Sequence, residues 1–291
     1  MSIHESIREA IERATGSAIA SVHAVSGGSI ATATEVMLGS GVRVFLKTDV
    51  HAPAGAFAAE ARSLRFIDEP GALRVPRVLA VGEEAGDCAF LLLEHVARGA
   101  PARDHDERLG RGLAAMHRAS PGRFGGPSEH GCLAGITTDD RASPDGTTFY
   151  VERRLRPLFA AVERKGLASR AMRVGIERVC ETIHELVPRG EPPARLHGDL
   201  WSGNAMVDEG GAPCLLDPAA YGAHREIDLA MMRLFGGFSS RVESAYAEAW
   251  PLAPGHRDRV PLWQLLPLLV HTILFGGSYV RQVERALDEI R

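Results

Sequence analysis

Lysine is almost missing from this chain. Of its 33 basic residues only Lys47 and Lys165 are lysines, set against 37 acidic residues for a net charge of −4. No run of like charge stands out, so neither nucleic acid nor an anionic membrane surface has an electrostatic footprint here, and neither is expected as a partner. Cysteine is sparse too. Cys88, Cys132, Cys180 and Cys214 are too widely spaced for a CxxC or zinc-ligand pattern, and reduced thiols in a cytoplasmic protein are the expectation. Long apolar runs are lacking: Leu262 to Phe275 is the most apolar stretch, shorter than the ~20 residues that cross a bilayer and broken by Gln264, Pro267 and His271. The first residues space Ile3, Ile7 and Ile11 between charges, which is the pattern of an amphipathic helix and not of a secretory signal. There is no internal repeat and no low-complexity tract. What is present is ordinary globular composition, 45% hydrophobic and 24% charged over 291 residues. At roughly 100 to 200 residues per domain this suffices for one large domain or two modest ones.

Turn chemistry organises the first third. Val22–Val25, Ala31–Leu38 and Val42–Leu46 read as three strands separated by Ser26-Gly27-Gly28 and Gly39-Ser40-Gly41. A helix over Ala56–Glu69 follows, closed by Pro70-Gly71, and then two more strands, Arg77–Val81 and Ala89–Glu94. From Arg103 the periodicity is mostly helical, over 104–119, 147–163, 169–186, 226–235 and 241–249, with two further helices from His256 onward. The segment 122–146, rich in Gly, Pro, Ser and Asp, reads as a long loop. The expected architecture is α+β and two-lobed: residues 1–96 form a small antiparallel sheet with one helix, residues 97–291 a larger helical lobe, and Val96–Pro101 the hinge.

The chemistry concentrates in Leu196-His197-Gly198-Asp199-Leu200-Trp201-Ser202-Gly203-Asn204. A hairpin turned at Asp208-Glu209-Gly210-Gly211 then delivers Asp217-Pro218. Phosphoryl transfer from ATP needs this set of groups: Asp199 to take the proton of an attacking hydroxyl, and Asn204 with Asp217 as hard oxygen ligands for Mg²⁺ on the phosphates. Lys47, retained in a chain that otherwise uses arginine, is paired in this reading with Glu60, a carboxylate on the apolar helical face of Phe57 and Leu64. Such a carboxylate is costly to bury alone, and a Lys–Glu pair positions the α- and β-phosphates in kinases. Gly27, Gly28 and Ser29 occupy the place of a phosphate-covering loop but match no phosphate-loop pattern, so a plain hairpin turn fits them equally. Glu94 and Val96 close the last strand of the small lobe, where backbone groups would meet an adenine edge. Two features argue against a protein kinase proper. Gly198 stands where an HRD-type loop carries arginine, and the few residues between Asp217 and Glu226 leave no room for a peptide-docking platform. The acceptor is therefore small, or an exposed adduct on a larger molecule.

The strings HGDLWSGN at 197–204, DPAAYGAHREIDLAMMRLFGGF at 217–238, Leu274-Phe275-Gly276-Gly277, and PAGAFAAEARSL around Glu60 resemble the fructosamine kinase (ketosamine-3-kinase) family over nearly the whole chain. The resemblance implies a protein-kinase-like fold of the aminoglycoside phosphotransferase type. It implies ATP-dependent phosphorylation of the C3 hydroxyl of a ketoamine, whose unstable product releases the amine, so that the outcome is deglycation. Carried over by position, Asp199 is the base, Asn204 and Asp217 the Mg²⁺ ligands, Lys47 and Glu60 the phosphate-positioning pair, and Asp228 a brace for the catalytic loop. Trp201 and His271 are candidates for the sugar site, with burial in the core as the equal alternative. Departures from the family pattern fall on the acceptor side: Leu266, Pro267 and Val270 stand where Tyr, His and Asn are common, and the 130–143 loop lacks the usual Asn and Gln. Two other readings stay open: a kinase of another small alcohol such as an aminoglycoside, choline or a pentose derivative, and a nucleotide-binding pseudokinase. The second has no use for a base at Asp199. Oligomeric state is not legible.

Overall fold

A computed structural model describes residues 3–25, 32–82 and 89–290. The charged helix at the start is α1 (Glu5–Thr15), ended by Gly16 at φ 65°. It leads into β1 (Ile19–Val25), β2 (Thr32–Leu38), β3 (Arg43–Thr48), α2 (Ala56–Asp68), β4 (Val78–Gly82) and β5 (Phe90–Glu94). The strands make one sheet ordered β1-β2-β3-β5-β4, antiparallel throughout. Successive side chains on a strand point to opposite faces, and β5 uses both. Phe90 and Leu92 join Ile7 and Ile11 of α1, while Leu91 and Leu93 join Phe57, Leu64 and Ile67 of α2. β3 runs beyond the apolar segment Val42–Leu46, so Lys47 lies inside the sheet, opposite Leu91 and Ala33, instead of at the strand's end.

After α3 (His105–Arg118), the segment 122–146 departs from the long loop expected of it. It contains a hairpin, β6 (His130–Leu133) with β7 (Ile136–Asp139). Strands of four residues with this much polarity carry no readable alternation; tertiary contacts create them. β6 lies against α2, and Asp140 just past β7 makes a buried ion pair with Arg154 at 2.7 Å. The Arg154 guanidinium in turn sits over the rings of Phe149 and Tyr221.

The remaining elements are α4 (Gly146–Tyr150), a π-helical turn (Val151–Leu155), α5 (Arg156–Arg164), α6 (Arg170–Leu186), β8 (Ala194–Leu196), β9 (Ala205–Val207), β10 (Pro213–Leu215), β11 (Tyr221–Ala223), α7 (Glu226–Phe235), α8 (Ser240–Ala249), α9 (Val260–Phe275) and α10 (Ser278–Glu289). The expected hairpin is β9–β10, and the short pair β8–β11 was not legible beforehand. Two prolines explain two irregularities. Pro157 has no N–H for the Arg153 carbonyl four residues back, the helix slips into its π turn, and that carbonyl accepts Arg154 Nη1 at 3.0 Å instead. Pro267 likewise frees the Trp263 carbonyl within α9, which accepts the Tyr150 hydroxyl at 3.3 Å. Among the described residues, no helix is long and apolar enough to cross a membrane.

Candidate active site

The polar string 197–204 joins β8 to β9 along a cleft of about 890 Å³ between the sheet and the helical lobe. Asp228, fully buried in α7, aims this loop. Its carboxylate accepts the backbone N–H of His197 at 2.7 Å and of Gly198 at 2.9 Å, and His117 Nε2 lies 3.1 Å away. Burial pushes the Asp228 carboxyl up, but His117, His197 and the Gly198 N–H together outweigh it and hold it below the ordinary carboxylate value. The His197 ring secures the next segment. Its Nδ1 accepts the Asp199 N–H at 3.2 Å and its Nε2 donates to the Leu216 carbonyl at 2.8 Å, the pattern of a neutral imidazole. Burial lowers its pKa accordingly. Gly198 sits at φ 83°, where a Cβ would come 2.0 Å from the Ala219 carbonyl oxygen, so no other residue fits this bend.

The loop and the sheet bring the reactive groups together. Lys47, Glu60, Glu94, Val96, Asp199, Trp201, Asn204, Asp217 and His271 all line the one cleft. Lys47 Nζ, on β3, lies 2.6 Å from Glu60 Oε1 on α2 and 2.6 Å from Asp217 Oδ1. Burial alone would lower the Lys47 pKa, yet Glu60 and Asp217 outweigh it and keep the ammonium charged. Burial leaves the Glu60 carboxyl above its ordinary value in spite of Lys47. Asp199 is pushed up to about 7, chiefly by burial, with the Asn204 hydrogen bond opposing and Asp217 adding to it. Such a carboxyl changes charge near neutrality, where a general base is most effective. Asn204 directs Nδ2 at the Asp199 carbonyl (2.9 Å) and carboxylate (3.1 Å), which fixes its amide orientation. Its Oδ1 and the second oxygen of Asp217 accept no hydrogen bond among the described residues, although both side chains reach the cleft. Asp217 holds a left-handed backbone (φ 53°), uncommon for a residue with a side chain, and its side chain is half exposed. Two such hard oxygens suit Mg²⁺, which takes one or two protein ligands and completes its shell from phosphates.

Glu94 gives its N–H to the Arg77 carbonyl (2.8 Å) and its carboxylate to Arg74 and Arg77, while His95 and Val96 continue along the cleft. Gly27, Gly28 and Ser29 lie outside the described residues. Neither Trp201 nor His271 is a core residue: Trp201 is 40% exposed and both line the cleft. Much of HREIDLAM serves as bracing. Arg225 pairs with Glu191 (2.6 Å), and Glu226 takes both Arg259 (2.6 Å) and the Trp263 indole N–H (2.9 Å). Sequence reasoning missed Phe235, Phe275 and Tyr279, and the Cys132–Gly135 end of the β6–β7 hairpin, all of which line the cleft. One signal was available: Leu-Phe-Gly-Gly occurs at 234–237 and again at 274–277, each ending a helix at glycines with positive φ.

The family model described as fructosamine kinase matches residues 3–291. A "Probable ketoamine kinase" of Lactiplantibacillus plantarum is 36% identical over 272 residues, spanning 92% of this chain and 94% of its own. A crystal structure from Thermobifida fusca, described as a "putative fructosamine-3-kinase", superposes with a TM-score of 0.89 at 34% identity and covers 99% of both chains. An aminoglycoside phosphotransferase structure at 15% identity has a TM-score of 0.62 over 97% of each chain, a likeness of fold.

Proposed function

The chain belongs to the fructosamine kinase family, and on that premise we propose that it transfers the γ-phosphoryl group of ATP to the C3 hydroxyl of a ketoamine. The observation that carries this reading is the convergence of Lys47, Glu60, Asp199, Asn204 and Asp217 on one cleft. Asp199 accepts the proton of the C3 hydroxyl as its oxygen attacks the γ-phosphorus and the bond to the departing ADP breaks. Lys47, held by Glu60, positions the α- and β-phosphates. Mg²⁺ on Asn204 and Asp217 would neutralise charge building on the phosphates. Asp228 and His197 keep the Asp199 backbone in place. Trp201 offers an indole face to the C–H surface of the sugar. Spontaneous breakdown of the 3-phosphate then frees the amine, which is deglycation.

The test is ATP consumption against a panel of fructosyl and ribulosyl amines, the free sugars, kanamycin and choline. Turnover of ketoamines in preference to the other acceptors is expected. Turnover of kanamycin or choline with none of any ketoamine would overturn the reading.

A further inference from the structure

A wall of rings runs from the catalytic loop to the C-terminal helices. The Trp201 indole lies so close to Gly203 that a Cβ there would come 2.2 Å from its ring. The indole meets Phe235 at 6.4 Å between centroids, Phe235 meets His271 at 4.8 Å, and His271 meets Phe275 at 5.5 Å and Tyr279 at 5.0 Å. These rings are not scattered surface residues. Of the eight large hydrophobic side chains left exposed among the described residues, four (Trp201, Phe235, Leu274 and Phe275) belong to this wall, with 36–65% of their surface open. A contiguous apolar surface continuous with a reactive cleft marks a binding surface.

The wall carries no charge. The cleft-lining residues of α7, α9 and α10 include no Asp, Glu, Lys or Arg, and His271, with Nδ1 on the Pro267 carbonyl at 2.8 Å, is kept neutral by burial. The charged residues that line the cleft, Glu35, Lys47, Asp49, Glu60, Glu94, Arg98, Asp199 and Asp217, all come from the sheet lobe, the segment after β5 and the loops around β9–β10, and none from these three helices. A substituent bearing a charge would lose water against this wall and gain no partner, whereas an apolar one would cover rings that are otherwise wet.

Resting on the ketoamine kinase reading, we propose that the ring wall receives the amine-borne part of the acceptor and selects ketoamines of apolar amines, aliphatic or aromatic, over those whose amine part ends in a charge. The test is kcat/KM for fructosyl derivatives of methylamine, hexylamine, benzylamine, 6-aminohexanoate and 1,6-diaminohexane. The hexyl and benzyl compounds should exceed the methyl compound by about 10- to 100-fold, mostly through KM. The two chain-matched charged compounds should fall at least about tenfold below the hexyl compound. Phe275→Ala removes an exposed ring and little packing, and it should shrink the hexyl-to-methyl ratio to a few-fold; Phe235→Ala should act in the same direction. A flat series, or a preference for the carboxylate or the diamine, overturns this inference and leaves the kinase reading standing. No ATP consumption with any of the five or with their ribulosyl counterparts overturns both.

Discussion

Asp228 is fully buried and holds two backbone N–H groups of the 197–204 loop, and replacing it with asparagine isolates its charge from its shape. In the folded chain Oδ2 accepts the His197 N–H at 2.7 Å and faces His117 Nε2 at 3.1 Å, while Oδ1 accepts the Gly198 N–H at 2.9 Å. An amide has only one oxygen. If it takes the Oδ2 position, the amide NH2 faces the Gly198 N–H, donor against donor. The loss of one charge-assisted hydrogen bond costs about 1.5–3 kcal/mol, and the surviving bonds weaken to neutral strength, for roughly 2–4 kcal/mol in all. At about 2–4 °C per kcal/mol for chains near this size, the melting temperature of Asp228→Asn should drop by about 4–16 °C. Turnover should fall as well, by about 10- to 100-fold, because the displaced Gly198 N–H immediately precedes Asp199 and small misplacements of a reacting group are costly. The pH dependence has a definite sign. The Asp228 carboxyl is held below its ordinary 3.8 when folded, so its stabilisation is complete above that value and is lost as pH falls through the lower folded value. The wild-type advantage in thermal or urea unfolding should therefore be largest at neutral pH and narrow in strong acid. An Asp228→Asn protein with wild-type melting temperature and turnover would refute the reasoning.

Asp199→Asn should lower turnover by about 10²- to 10⁴-fold with little change in ATP affinity, whereas Asp217→Asn should weaken Mg·ATP binding; equal losses of nucleotide binding in the two variants would remove Asp199 from the role of base. Because only the carboxylate form of Asp199 can accept a proton and burial raises its pKa to about 7, kcat/KM of the wild type should climb as pH rises from 5.5 and level off above neutrality, and a profile flat over that range would count against the assignment. Lys47→Arg should lose activity while unfolding normally, since a planar guanidinium cannot reproduce a compact ammonium 2.6 Å from both Glu60 and Asp217; near wild-type turnover at saturating ATP would show that the lysine does not hold the phosphates.

The sequence by itself determined a set of candidate residues and the kind of element on which most of them reside. Asp199, Asn204 and Asp217 were legible because loops that handle phosphate use few residue types at narrow spacings, and Lys47 because lysine is otherwise nearly absent. The five strands and the run of helices were legible because alternation and helical periodicity are local properties of the chain. Position in space was not local. The 122–146 segment reads as a loop, yet it folds into a hairpin that borders the cleft because α2 supports β6 and Arg154 meets Asp140. The pair β8–β11 is three residues long on each side and exists only because packing brings Leu196 opposite Tyr221. The bends at Pro157 and Pro267 were written in the chain, but the groups that satisfy the freed carbonyls, Arg154 and Tyr150, became known only from the packing. Trp201 and His271 stood evenly between core and cleft, since an aromatic residue in a helix or loop carries the same local signal in either place. The ring wall that Phe235, Phe275 and Tyr279 build with them joins the catalytic loop to α7, α9 and α10. Contacts between residues tens of positions apart leave no periodic trace, so only the tertiary structure decided what lines the cleft beside Trp201 and His271.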